Sequence, residues 1–366
     1  MRFTCKRARL AEVAGLVGQA VASKTTKRIF ECLRLSTGEG LLEVQGTDLE
    51  VAVRYRLGEV EVKEAGEAVV PAPLFSGVMR EIADESVTVA VARQKMSIQT
   101  DGGSFEIQCE DPAQYPEIPA FPKMRTGAIA PEDLRALVRK TAFAAGKEAA
   151  RFVLNGVRIL AAENNVRFVA TDGRRLATLA RPLEGRNADE PVRAAIVGVR
   201  ALQHVERIAA ESESPVDLAV EERFVSFRTT HAEVTTRVMD GIFPNYEEIL
   251  PKESRVRASV PVGMLASRLR QAEQFAAVES KAVVLAFRPG ELTITAAGGE
   301  GRAEVRVGIE YDGSEEKIGF NPAFVLDCLK VVDGENATIA LSNRNAAATF
   351  SDDSGFLYVL MPVLID

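Results

Sequence analysis

The feature that most constrains this chain is internal repetition, because one pattern of apolar spacing and turn chemistry returns three times at a period of about 125 residues. Each copy opens on an amphipathic helix, expected over 10–22, 131–147 and 261–278, with apolar residues at i, i+3/i+4 and i+7. Pro131-Glu132-Asp133 is a good helix start, with proline in the first turn and carboxylates at the positive end of the dipole. A strand, a turn and two further strands follow in every copy. They are expected at 29–35, 41–45 and 49–57, then 152–160, 166–170 and 176–182, and finally 283–287, 292–296 and 303–310. The turns between them, such as Glu163-Asn164-Asn165 and Arg288-Pro289-Gly290-Glu291, carry hairpin residues. A shorter second helix (72–83, 197–210, 322–332) and closing strands (87–91, 216–220, 337–341) complete the unit. Polar connectors bearing proline and tyrosine, Glu110-Asp111-Pro112-Ala113-Gln114-Tyr115-Pro116 and Met239-Asp240-Gly241-Ile242-Phe243-Pro244-Asn245-Tyr246, bridge the copies. The expected domains are 1–120, 121–251 and 252–366, each an α+β layer of helices on antiparallel sheet.

Composition narrows the function classes. The 366 residues are 46% hydrophobic and 27% charged, ordinary for a globular chain, with no apolar run of bilayer-spanning length. The N-terminus enters an amphipathic pattern with no signal-peptide core, so a cytoplasmic address and no membrane partner are expected. Cys5, Cys32, Cys109 and Cys328 are scattered, and His204 and His231 are isolated. Metal chemistry needs clustered ligands, so no metal site and no cofactor are expected.

A net charge of −7 argues against nucleic acid unless the signs segregate by face. The sequence hints at such segregation. Lys6, Arg7, Arg9, Lys24, Lys27 and Arg28 stand against Glu12 alone. From 132 to 151, Arg135, Arg139, Lys140, Lys147 and Arg151 stand against Glu132, Asp133 and Glu148, and Arg193, Arg200 and Arg207 recur at heptad spacing, as on one helix face. Acid gathers elsewhere, as in Glu59-Glu61-Glu64-Glu67 and Glu315-Glu316. Basic helices inside an acidic shell would let phosphate slide without base readout.

The loop after the second strand carries Gly46-Thr47-Asp48-Leu49-Glu50 in copy one and Ala170-Thr171-Asp172-Gly173-Arg174-Arg175-Leu176-Ala177 in copy two, and has decayed to Thr295-Ala296-Ala297-Gly298 in copy three. Asp beside Thr and Arg could hold a phosphate or a metal, but no His, Cys or second carboxylate travels with it. A turn that orders its own backbone is the cheaper explanation, and no catalytic residue is assigned.

With Leu154-Asn155-Gly156, Phe243-Pro244-Asn245-Tyr246 and the terminal Tyr358-Val359-Leu360-Met361-Pro362-Val363, the chain resembles the bacterial beta clamp family along its whole length. That resemblance implies a dimeric ring of clamp domains around double-stranded DNA, read without sequence preference. It implies partners in the replicative polymerase, the clamp loader and other clamp-motif proteins, on the nucleoid, and no catalysis. A partner-peptide pocket is implied at Leu154, Thr171, Gly173, Arg174, Arg175, Leu176, Pro244, Ile249, Asn345, Ala347, Val359, Leu360, Met361, Pro362 and Val363. Lys24, Lys147, Arg151 and Phe152 match positions near duplex DNA, to which the charge pattern adds Arg28, Arg193 and Arg200. Phe105 and Phe275 occupy homodimer-interface positions. One departure stands out. Glu247-Glu248 lies where the family often has a basic pair, which implies weaker affinity for acidic peptides. The competing binding-protein reading is a peptide scaffold that never encircles DNA.

Overall fold

The computed structural model describes residues 1–148, 153–186, 189–250, 254–277 and 282–364. Within them the α+β expectation holds, as three tandem copies of helix packed on antiparallel sheet. The first copy runs β1 (Arg2–Lys6), α1 (Arg7–Gly18), β2 (Cys32–Gly38), β3 (Leu41–Thr47), β4 (Val51–Leu57), β5 (Glu61–Glu64), β6 (Gly66–Pro71), α2 (Ala72–Glu81), β7 (Ser86–Ala92), β8 (Lys95–Gln99) and β9 (Ser104–Gln108). The second runs β10 (Gly127–Ile129), α3 (Pro131–Thr141), β11 (Gly156–Ala162), β12 (Asn165–Thr171), β13 (Arg175–Pro182), β14 (Arg193–Gly198), α4 (Val199–Ala210), β15 (Val216–Val220), β16 (Phe224–Arg228) and β17 (Ala232–Arg237). The third runs β18 (Val256–Pro261), α5 (Val262–Glu273), β19 (Val283–Arg288), β20 (Glu291–Gly298), β21 (Gly301–Gly308), β22 (Glu316–Phe320), α6 (Pro322–Leu329), β23 (Asn336–Leu341), β24 (Ala348–Ser351) and β25 (Leu357–Leu360).

Among the described residues each of the six α-helices begins within two residues of the end of a strand, which the sequence reading missed at β1, β10 and β18. These strands are short, but their alternation is real: Phe3 and Cys5 are buried while their neighbours face out, and Phe3 lies opposite Val89. All three first helices also stop earlier than expected, and α1 is shifted toward the N-terminus, running from Arg7 to Gly18 where 10–22 was expected. In α3 the hydroxyl of Thr141 donates to the Leu137 carbonyl, a 3-10 turn covers Ala142–Ala144, and Gly146 N–H donates to Leu154 O at 2.7 Å, turning the chain into the next strand. In α5 the helix ends at Glu273 rather than beyond it.

The strands form four sheets, and the copies share them. One eight-stranded sheet runs β10-β15-β16-β17-β4-β3-β2-β6 and a second runs β14-β11-β12-β13-β25-β24-β23-β18. The junctions are β17 on β4, with Val234 opposite Val53, and β25 on β13, with Val359 opposite Leu176. Each junction therefore joins the first half of one copy to the second half of the next. Two half-sheets are left over: β5-β1-β7-β8-β9 in the first copy and β21-β20-β19-β22 in the third. Among the described residues their outer strands β9 and β21 end the sheets with unpaired edges.

This sharing explains why the chain divides into two compact units that cut through the middle copy. One is Met1–Leu134 with Glu184–Arg186 and Arg200–Val238; the other is Arg135–Leu183 with Asn187–Val199 and Met239–Asp366. Cys5, Cys32 and Cys328 are buried as small apolar side chains, and burial pushes the Cys5 thiol up to about 12 and those of Cys32 and Cys109 to about 11. No helix among the described residues is long and apolar enough to cross a membrane.

Candidate functional site

The two Thr-Asp loops have one geometry. Thr47 Oγ1 donates to Val51 O (2.8 Å) and accepts from Leu49 N–H (3.0 Å), while Asp48 Oδ1 accepts from Glu50 and Val51 N–H at 3.1 and 2.8 Å. Thr171 Oγ1 donates to Arg175 O (2.6 Å) and accepts from Gly173 N–H (3.1 Å), and Asp172 Oδ1 accepts from Arg174 and Arg175 N–H at 2.9 and 3.0 Å. Leu49 and Gly173 both hold positive φ, 78° and 88°. The outer oxygen of Asp48 takes the Arg200 guanidinium, and that of Asp172 takes Arg175 Nε at 3.0 Å. The threonine hydroxyl and one aspartate oxygen of each motif are thus engaged in shaping the backbone, and the other aspartate oxygen holds an arginine.

The second loop forms a wall of an apolar site. Leu176 and Val359 meet across the β13–β25 junction over a cluster with Val169, Ile196, Phe243 and Tyr246. Val153, Met239, Leu250, Ala347 and Leu357 pack around it, partly buried. Gly173 and Arg174 are exposed at the loop tip, and Met361 N–H is held by Arg174 O at 2.9 Å. Met361 and Ile249 keep 46% and 48% of their surface in solvent, a large exposure for apolar side chains beside a buried cluster. Pro244 and Asn345 are exposed nearby in sequence; Pro362 and Val363 are half-buried, with Val363 N–H on Gly319 O at 2.9 Å. Leu154, Arg174 and Arg175 line a cavity of about 250 Å3 with Lys147, Asp172 and Phe324.

Besides Leu176 and Val359, which are buried in the cluster itself, three other residues expected in the pocket are buried. Thr171 is consumed by the loop and Leu360 sits in the sheet. Arg175 stacks on Phe324 (4.4 Å) and Phe143 (5.6 Å), donates to Asp327 and to Phe143 O, and so anchors the wall from behind. Conversely, Val169, Ile196, Phe243 and Tyr246 form the floor without having been assigned to the pocket, although Phe243 and Tyr246 belong to a motif that was recognised. The alternation of Asn165–Thr171 and Arg193–Gly198, together with the aromatics of the Phe243-Pro244-Asn245-Tyr246 motif, is the signal that finds them.

Charge at the rim is mixed. Glu247 and Glu248 are exposed, and Asn245 Nδ2 donates to Glu248 Oε1 at 2.6 Å. Arg158 lies 5.9 Å over the Phe243 ring. Burial pushes the Tyr246 phenol up; Arg167 and Arg158 pull it back down, and Glu247 adds to the rise.

The basic candidates divide. Lys24, Arg28 and Lys147 are exposed, Arg28 within 3.3 Å of Glu110; Arg151 and Phe152 lie outside the described residues. The helical stripe through Arg193 is corrected. Arg193 is the first residue of β14, where it pairs with Ala161, because the apolar run behind it extends against β11 before α4 begins. Arg200 does lie on α4, but its guanidinium is bound to Asp48 and to the carbonyls of Gln19 and Val21. Lys140 is fully buried and not on an open face: Nζ contacts Asp352 (2.6 Å), Asp333 (2.7 Å) and Ser354 (2.7 Å) beside the Phe356 ring.

At the unpaired edges, Phe105 is on β9 with 39% exposure. Phe275 follows α5 with 42% exposure, and its ring would lie 3.3 Å from a Cβ at Gly301, the first residue of β21. Among the described residues no cluster of three His, Cys, Asp or Glu could hold a metal ion.

Comparison with known proteins agrees with this geometry over the whole chain. Residues 1–119, 128–245 and 247–364 match the families described as the N-terminal, central and C-terminal domains of the DNA polymerase III beta subunit. The beta sliding clamp of Pseudomonas putida is 29% identical over 99% of this chain and all of its own length, and that of Caulobacter vibrioides 28% over all of both. The crystal structure of a DNA polymerase III subunit beta from Pseudomonas aeruginosa bound to griselimycin superimposes with a TM-score of 0.93, at 26% identity over all of both chains.

Proposed function

The chain belongs to the DNA polymerase III beta subunit family, and from that premise we propose that it works as a homodimeric sliding clamp. It encircles duplex DNA, tethers the replicative polymerase, and docks the clamp-binding segments of the clamp loader and repair proteins. The observation that carries this reading is the pair of orphan sheet edges. Within one chain, β4 recruits β17 and β13 recruits β25, each the first half of one copy joined to the second half of the next. Among the described residues the third copy's β21 has no such partner, and the first copy's β9 is a second-half strand with a free edge. Adding β9 of a second subunit to β21 repeats the internal junction and puts Phe105 near Phe275. A second, equivalent contact closes the assembly.

In this reading the domains are 1–120, 121–251 and 252–366. The apolar site over Leu176 and Val359 receives partner peptides, with Leu154, Gly173, Arg174, Pro244, Ile249, Asn345, Ala347, Met361, Pro362 and Val363 around it and Thr171, Arg175 and Leu360 holding its frame. Lys24, Arg28, Lys147, Arg151 and Phe152 are the residues assigned to DNA contact. In this reading the protein is not an enzyme, since the loop carboxylates that could have acted are spent on their own backbone and on Arg200 and Arg175. It resides in the cytoplasm, on the nucleoid.

The test is retention on circular DNA. A variant carrying Lys24→Glu, Lys147→Glu and Arg151→Glu should lose clamp-dependent processivity, with a shallower salt dependence, while peptide affinity survives. Unchanged retention on a nicked circle would remove the DNA-facing assignment.

A further inference from the structure

We propose that the chain carries a second peptide-docking pocket, at the junction of β4 and β17, which takes an aliphatic side chain flanked by lysine or arginine. The internal repeat places it there. Arg237 N–H donates to Glu50 O at 2.9 Å, as Met361 N–H does to Arg174 O at 2.9 Å. The pair Ala52–Thr235 stands where Leu176–Val359 stands in the other junction. Tyr115 and Ile118, from the first connector, back the site in a buried cluster with Ala52 and Val69, as Phe243 and Tyr246 back the other. The outcome is a cavity of about 220 Å3.

The substitutions between the two pockets define its ligand. Ala52 for Leu176 and Thr235 for Val359 shorten the side chains of the floor and leave room for an incoming aliphatic group. Leu49 replaces Gly173 at the mouth. It holds φ 78° without being glycine and keeps 48% of its surface in solvent, so neither burial nor backbone ease explains a leucine there. A hydrophobic contact with a ligand does. Glu50 replaces Arg174, Glu117 lines the same cavity, and Arg237 replaces Met361. Among the described residues none of these three is held in an ion pair, and the two carboxylates outnumber the cation. Charge complementarity therefore selects a basic neighbour beside the aliphatic anchor. This assignment uses the partner-pocket reading only as its geometric template.

The test is fluorescence anisotropy on the full chain with two labelled decapeptides, one with a Leu-Leu-Lys-Lys core and one with a Leu-Leu-Asp-Asp core. The basic peptide should bind the unaltered protein and weaken roughly tenfold or more on Glu50→Arg, an exposed change that leaves thermal unfolding in place. Met361→Asp should leave that binding unchanged while abolishing binding of the acidic peptide. No binding of the basic peptide, no effect of Glu50→Arg, or loss on Met361→Asp instead would each overturn the second pocket. Failure of the acidic peptide alone would count only against the first.

Discussion

Leu49 and Gly173 occupy the same place in two copies of one loop, yet only glycine is at ease at that φ. Leu49→Gly should raise unfolding free energy by about 0.5–1 kcal/mol in urea titrations, and Gly173→Ala should lower it by about 1 kcal/mol or more. Rim charge sets a second expectation. Glu247→Arg with Glu248→Arg should tighten an acidic peptide at the Leu176–Val359 site by about threefold to tenfold in calorimetry, since exposed charges act weakly and are screened. His204 gives a third. It is buried on α4 with Nδ1 lacking a partner, and burial, reinforced by Arg207 and Arg200 and opposed by Asp48, depresses it to about 4. The unfolded chain binds that proton near the ordinary histidine value of 6.5, so the folded state loses stability as pH falls from there to about 4 and no further below. A loss on the order of 2–3 kcal/mol is expected, and His204→Gln should flatten that part of the pH–stability curve.

At the scale of elements, each Thr-Asp loop is gripped by the second helix of the following copy. Arg200 on α4 reaches Asp48, and Asp327 on α6 reaches Arg175 at 2.9 Å. The polarity is reversed, but the joint is the same. Arg175 is the more buried cation, so Asp327→Asn should cost more than Arg200→Gln, roughly 2–3 against 1 kcal/mol. A double-mutant cycle of Asp48 with Arg200 that returned no coupling would show that joint to be incidental. These grips explain what the sequence could and could not reveal. Helices and hairpins were legible because period and turn residues act locally, as in Pro131-Glu132-Asp133 and Arg288-Pro289-Gly290-Glu291. The Leu176–Val359 site was legible only through motif resemblance. Its floor residues Val169 and Ile196 come from strands whose facing depends on a distant β25. Arg193 was misassigned because heptad spacing says nothing about where a strand ends and a helix starts. Lys140 looked like a free helix cation because its carboxylate partners lie about 200 positions away in the chain, a separation no local pattern encodes.

At the scale of the whole molecule, the self-association we propose would rest on two edges and two phenylalanines. Phe105→Asp and Phe275→Asp should each shift sedimentation toward the monomer at micromolar concentration, leaving the far-ultraviolet spectrum intact. If neither does, β9 and β21 are not the contact. The long sheets carry a further consequence, for how such a chain could be cut or recombined. Because β4 needs β17 and β13 needs β25, what was duplicated in the gene is offset by half a period from what buries a surface. A crossover that exchanges one whole repeat between two relatives would sever a strand pair on each side of it. The foreign repeat survives only if its edges keep the host's register, which makes the seams, and not the repeat interiors, the places where sequence is least free to drift.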